Sequence, residues 1–156
     1  MNHRTDEYGG DLDGRLNFVR QLIVGIKEAV GKDFPVSIRF SIKHFMTDFG
    51  KASLTGENEF GRSLEQAVEI VKKLEEYGVD MLNCNSGCYD GFYYANPPYY
   101  MDYCYNLGLA KAIKEAVSIP VFLAGKMDDP DLCEKALAEG WIDGIVLGRA
   151  SLAEPH

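Results

Sequence analysis

PVFLAGKMDDPDLCEKALAEGWIDGIVLGR, residues Pro120 to Arg149, reads as a strand, an acidic turn, a helix and a second strand. The first apolar run ends at Gly125 and the second at Gly148. Between them Asp129 is placed to cap a helix, Pro130 suits its first position and Gly140 its stop. A glycine at the end of each strand leaves bare backbone N–H groups open to an anion, because a residue without Cβ neither blocks the approach nor resists the dihedrals. The pair suggests a phosphate cradle of the kind found after the last two strands of eight-stranded α/β barrels. Taken singly, each glycine fits a strand end or a tight packing contact equally well.

The same alternation extends backwards through the chain. A polar opening, MNHRTDEYGG, gives way to Leu12, Leu16, Val19, Ile23, Ile26 and Val30, whose spacing places them on one face of a helix closed by Gly31. Pro35 to Ser41 reads as a short buried strand interrupted by one charge, Arg39. Arg39 either reaches solvent from a strand end or stands as a fixed cation at a barrel mouth. Residues 42–61 lack periodicity and carry Gly50, Gly56 and Gly61, so they form a long excursion of a kind often tied to function.

Ser63, with Gln66 in capping-box position, starts a second helix whose buried face is Leu64, Ala67, Val68, Val71 and Leu74 and whose stop is Gly78. Val79 to Asn85 is the next strand. It runs into Tyr89, Phe92, Tyr93, Tyr94, Tyr99, Tyr100, Tyr103 and Tyr105, crowded around Pro97 and Pro98. The paired prolines argue for a loop, either packed on the rim or walling a flat or apolar ligand. A third helix, from about Leu107 to Val117, leads back to Pro120. Four strands alternating with four helices, in one partial domain spanning residues 1–156, are half of a (β/α)8 barrel, which takes about 250 residues.

A net charge of −8 argues against a nucleic-acid or anionic-membrane surface and leaves a small molecule or another chain as the expected partner. No apolar run has the length of a signal peptide or membrane span, so a cytoplasmic location is expected. Cys84, Cys88, Cys104 and Cys133 lack CxxC spacing and read as reduced thiols.

NHRTDEYGGDLDGR at Asn2 to Arg15, SIRFS at Ser37 to Ser41, the GCYDGFYYANPPYY loop, FLAGKMDDP and GIVLGRASLAEP together resemble the flavin-dependent old yellow enzyme family. The likeness is to its NADH-dependent branch of 2,4-dienoyl-CoA reductases, enoate reductases and bile-acid-inducible oxidoreductases. It implies an FMN-binding TIM barrel of which this chain is the C-terminal half, strands five to eight. By resemblance Arg39 approaches the polar edge of the isoalloxazine, while Gly125, Lys126, Gly148 and Arg149 hold the FMN phosphate, largely through backbone N–H groups. Tyr89 and Tyr93 lie where substrate contacts are expected.

The implied reaction takes electrons from NADH or NADPH and reduces the C=C bond of an enoyl or enone substrate. The branch's iron-sulfur cysteines have no counterpart here, and any such cluster belongs to a missing C-terminal part. Position 126 is Lys126 where many members carry a second glycine. Two other readings stay open: a flavin-free phosphate-binding barrel such as an isomerase or aldolase, and a non-catalytic half-barrel. Unpaired sheet edges imply a homo-oligomer and little activity from this polypeptide alone.

Overall fold

The computed structural model describes residues 2–154. The Asp11 carboxylate accepts from the Gly14 N–H and opens helix α1 (Leu12–Val30), which Gly31 closes at φ 98°. Strand β1 (Ser37–Ser41) follows, then a small antiparallel pair, β2 (Met46–Asp48) and β3 (Lys51–Ala52). The Ser63 hydroxyl caps helix α2 (Leu64–Glu76) and leads through it to strand β4 (Met81–Asn85). One helical turn, α3 (Phe92–Ala95), precedes helix α4 (Leu107–Ala116) and strand β5 (Val121–Ala124). The chain continues as α5 (Pro130–Ala138), capped by Asp129, then β6 (Gly144–Val146) and the short α6 (Arg149–Ala153).

Strands β1, β4, β5 and β6 pair in that order, and every pairing is parallel. Consecutive parallel neighbours joined through helices form an arc of a (β/α)8 barrel. Strand alternation gives the arc two faces. Phe40, Leu82, Cys84, Val121 and Leu123 are buried and join one core with Ala67, Val71 and Leu74 of α2, Ala110 and Ile113 of α4 and Ala136 of α5. Arg39, Asn83, Phe122 and Gly144 stand in register across the other face.

In that second row Phe122 and Gly144 share one space. A Cβ at Gly144 would lie 2.7 Å from the Phe122 ring. Gly144→Ala is therefore expected to cost about 1–3 kcal/mol through overpacking, read as a lower midpoint in urea denaturation; an unchanged midpoint would show that the ring moves aside freely.

An aspartate just before a strand ties down the N–H of the preceding segment at two places. Asp80 accepts from the Val36 N–H at 2.6 Å and from Lys27 Nζ at 2.5 Å, and Asp143 accepts from the Val121 N–H at 2.7 Å and pairs with Lys114 at 2.8 Å. Hydrogen bonding from Lys27, and then from the Val36 N–H, holds the Asp80 carboxyl below its ordinary value of 3.8. A depressed folded-state value contributes stability above the unfolded value, and that stability is lost as pH falls through the folded one. Asp80 is 44% exposed, so Asp80→Asn is expected to remove only about 0.5–1.5 kcal/mol at pH 7. The two proteins should converge once pH has fallen below the folded-state value, and a deficit that persisted there would point to packing instead.

Some expectations from the sequence shift. Of the α1 stripe only Leu16 and Ile23 are buried, whereas Ile26 and Val30 are 41% and 53% exposed, beside exposed Phe18 and Leu22. Tyr8 packs edge-on to Phe18, while Leu22, Ile26 and Val30 stay exposed. Ile70, outside the expected α2 face, is buried with it. The excursion after β1 holds the β2–β3 pair, the aromatic segment holds α3, and α6 follows Gly148 directly.

Candidate functional site

The middle of β1, the C-terminal ends of β5 and β6 and the segment between α3 and α4 line a cleft of about 520 Å³. Arg39 comes from β1, and Gly125, Lys126, Gly148 and Arg149 come from just beyond the ends of β5 and β6. Ligands of parallel α/β barrels bind at this end because the strands stop there and the loops are free to vary.

The two glycines answer to different constraints. Gly125 sits at φ 125°, and a Cβ there would lie 3.0 Å from Asn106 Nδ2. Asn106 is fully buried and spans from the start of α4 to β5, donating through that nitrogen to the Ala124 carbonyl at 3.0 Å. Conformation and packing thus both demand glycine at 125. A Cβ at Gly148 would meet no atom of the chain and would project into open space.

Lys126 adopts φ 55°, the left-handed region where glycine is at ease. The backbone N–H groups of Gly125, Lys126, Gly148 and Arg149 donate to no acceptor among the described residues. Unengaged N–H groups at a left-handed turn form an anion-binding concavity.

Both cationic side chains beside the glycines point at the aromatic segment. Lys126 Nζ donates to the Tyr99 carbonyl at 2.5 Å and to the Met101 carbonyl, and lies 4.5 Å from the Tyr103 ring centroid. Arg149 Nη2 donates to the Pro97 carbonyl at 3.2 Å. Arg39 is exposed on its strand, with no hydrogen-bond or ion-pair partner among the described residues. Three cations against one lining carboxylate, Asp128, make the cleft a positive region in a chain of net charge −8.

Tyr89 and Tyr93 do not line the cleft. Tyr89 is 93% exposed, and Tyr93 packs edge-on against Tyr94 with ring centroids 5.2 Å apart. The helical turn α3 redirects this stretch, and Tyr94 stacks on Phe45 at 4.0 Å while Tyr105 Oη donates to the Tyr94 carbonyl at 2.5 Å. The tyrosine on the cleft wall is Tyr99, beside Asn96 and Pro97. The Pro97–Pro98 pair marks this stretch as a loop, since prolines interrupt a helix, but does not single out Tyr99.

All four cysteines are free thiols, and burial pushes the Cys84 thiol up to about 12, away from thiolate chemistry. Among the described residues no three His, Cys, Asp or Glu side chains cluster to hold a metal. No helix of the described residues is long and apolar enough to cross a membrane.

A four-stranded parallel arc joined through helices, with a cleft at its strand ends lined by three cations, is part of a (β/α)8 barrel. The chain belongs to the NADH:flavin oxidoreductase / NADH oxidase family, whose sequence profile matches residues 1–156. It is 43% identical over 156 residues to a cinnamate reductase from Clostridium sporogenes, covering 99% of this chain and 24% of the relative. It is 37% identical over 155 residues to an NADH oxidase from Thermoanaerobacter brockii, covering 99% of this chain and 22% of that protein. Among solved structures, a 2-naphthoyl-CoA reductase in complex with 2-naphthoyl-CoA superposes with a TM-score of 0.80 at 29% identity, over 99% of this chain and 22% of that one. The chain therefore spans less than a quarter of the length of these relatives.

Proposed function

We propose that this chain is the phosphate-binding half of an FMN-dependent oxidoreductase barrel that uses NADH or NADPH to reduce activated C=C bonds of enoyl or enone substrates. What supports this is that Gly125, Lys126, Gly148 and Arg149, whose backbone N–H groups have no acceptor among the described residues, line one cleft together with Arg39. The residues fit the phosphorylated cofactor: a Cβ at Gly148 would fill space the chain itself leaves empty, and the donors around it suit a phosphate dianion. Bound FMN supplies the hydride chemistry.

The chain's own residues bind and orient. The backbone donors fix the phosphate end without spending a side chain. Arg39 presents a permanent cation to the polar edge of a flat ligand lying along the strand ends, where it favours negative charge on that edge. The aromatic segment walls the cleft and narrows water's access from one side. The relatives that reduce cinnamate and 2-naphthoyl-CoA support an acyl acceptor conjugated to a flat ring.

The test uses the protein with its barrel closed, this chain together with the strands that precede it in its longer relatives. NAD(P)H consumption that depends on FMN and on an α,β-unsaturated acyl acceptor is the expected result. A colourless closed barrel that binds a sugar phosphate would instead support a flavin-free isomerase or aldolase.

A second reading concerns the chain by itself and rests on its uncovered surfaces. β1 and β6 each have one unpaired edge, and Phe18, Leu22, Ile26 and Val30 form an exposed apolar stripe on α1. Such surfaces favour association with further barrel strands or with a second copy. The 156-residue chain is expected to sediment as a dimer or larger assembly and to have little activity alone. Leu22→Glu should shift it towards monomer, and a monomeric parent chain would rule this reading out.

A further inference from the structure

We propose that Lys126 is a positioning residue whose ammonium latches residues 97–103 as one wall of the cleft, so that Tyr99 is held ready to contact a flat acceptor. The inference rests on the reading of the cleft as a cofactor and substrate site.

A lysine ammonium has three N–H donors. Here two reach the Tyr99 and Met101 carbonyls and the third direction faces the Tyr103 ring, 4.5 Å from its centroid. All three are occupied within the chain, so the side chain serves the aromatic segment. Arg149 adds a second tie at the Pro97 carbonyl, 3.2 Å away.

Little else holds this wall. Pro97 and Pro98 have no N–H to give, and within residues 97–103 the one backbone hydrogen bond among the described residues is Met101 N–H to the Pro98 carbonyl. Tyr99, Tyr100 and Tyr103 are 90%, 65% and 49% exposed, so ring burial contributes little order. A segment with few backbone bonds and exposed side chains opens locally at low free energy unless something ties it down. The tie is a cation next to Gly125, which couples the wall to the same turn that forms the cradle.

The geometry at 126 allows a clean test. Lys126→Gly removes the latch and suits the φ of 55°, so it changes the side chain without straining the turn. Lys126→Met removes only the ammonium and serves as a second variant, and Lys126→Arg restores a donor. Limited chymotrypsin digestion reads the wall directly, through cleavage after Tyr99, Tyr100 and Tyr103. Cleavage there is expected to rise about tenfold in Lys126→Gly and Lys126→Met and to return towards the parent rate in Lys126→Arg. In the closed barrel the KM for an aromatic enoyl acceptor should rise more than kcat falls.

Unchanged cleavage in both latch-free variants would overturn the proposal. So would a loss of FMN binding with the wall still protected, which would assign the ammonium to the phosphate. If neither parent nor variants bind FMN, the functional reading fails, while the digestion pattern still decides whether the latch exists.

Discussion

Gly148→Val is expected to weaken FMN binding by about 100-fold or more while leaving the fold intact. A Cβ at 148 meets no atom of the chain within 4 Å, and Gly148 lines the cleft, so the added isopropyl group is expected to intrude on it. It would keep a phosphate away from the Gly148 and Arg149 N–H groups, which have no other acceptor among the described residues. Hydrogen bonds to a charged group are worth about 1.5–3 kcal/mol each, and losing two corresponds to roughly 100-fold or more in affinity. Fluorescence titration with FMN measures the loss, and the urea midpoint, expected to be unchanged, controls for folding. FMN affinity equal to that of the parent chain would place the phosphate elsewhere.

Gly125→Ala is expected to fail differently, by destabilising the protein. At φ 125° a residue with Cβ costs about 1–3 kcal/mol. The new methyl would also lie 3.0 Å from Asn106 Nδ2 and displace the amide that donates to the Ala124 carbonyl. Leaving buried polar atoms unpaired adds about 1–3 kcal/mol. Asn106 Oδ1 is already buried without a partner, so losing the bond to Ala124 would leave the amide with no hydrogen bond among the described residues. The sum, about 2–6 kcal/mol, is a large fraction of a domain stability of about 5–15 kcal/mol. Chemical denaturation should show the full effect, and a variant within about 0.5 kcal/mol of the parent would mean that Asn106 yields easily.

Two glycines that look alike at the ends of two strands thus have separate reasons to be glycine. The sequence exposes their positions, because an apolar run, a capped helix and a second apolar run are local patterns. It does not expose Asn106, whose role depends on a side chain crossing from α4 to β5. The strand order is legible for the same local reason: alternating helices and strands leave few topologies besides a parallel arc.

What the sequence hides is set by packing between distant segments. The α1 periodicity marks an amphipathic helix, but which of its apolar residues are buried depends on the segments packed against it, which no helical pattern encodes. Likewise the crowd of tyrosines announces a special segment without saying which of them faces the cleft. The turn at Phe92–Ala95 and the pull of Lys126 and Arg149 on backbone carbonyls decide in favour of Tyr99 over Tyr89 and Tyr93. Backbone carbonyls as partners leave no mark in side-chain identity.

Arg39 is a case where sequence and structure meet. A charge in the middle of an apolar strand is anomalous at first reading, and alternation explains it. It stands in register with Asn83 on the face away from the helices, in the row that also holds Phe122 and Gly144. In a closed barrel that face is the interior, and a cation there is retained at a cost that a bound anionic edge offsets.

The most direct measurement compares FMN with riboflavin, which lacks the phosphate, in parallel fluorescence titrations of the 156-residue chain and its Gly148→Val variant. Preference for FMN by about 30-fold or more in the parent chain, and its collapse in the variant, is the expected result. Equal affinity for the two flavins, or an FMN preference untouched by Gly148→Val, would contradict a phosphate cradle formed by Gly125, Lys126, Gly148 and Arg149.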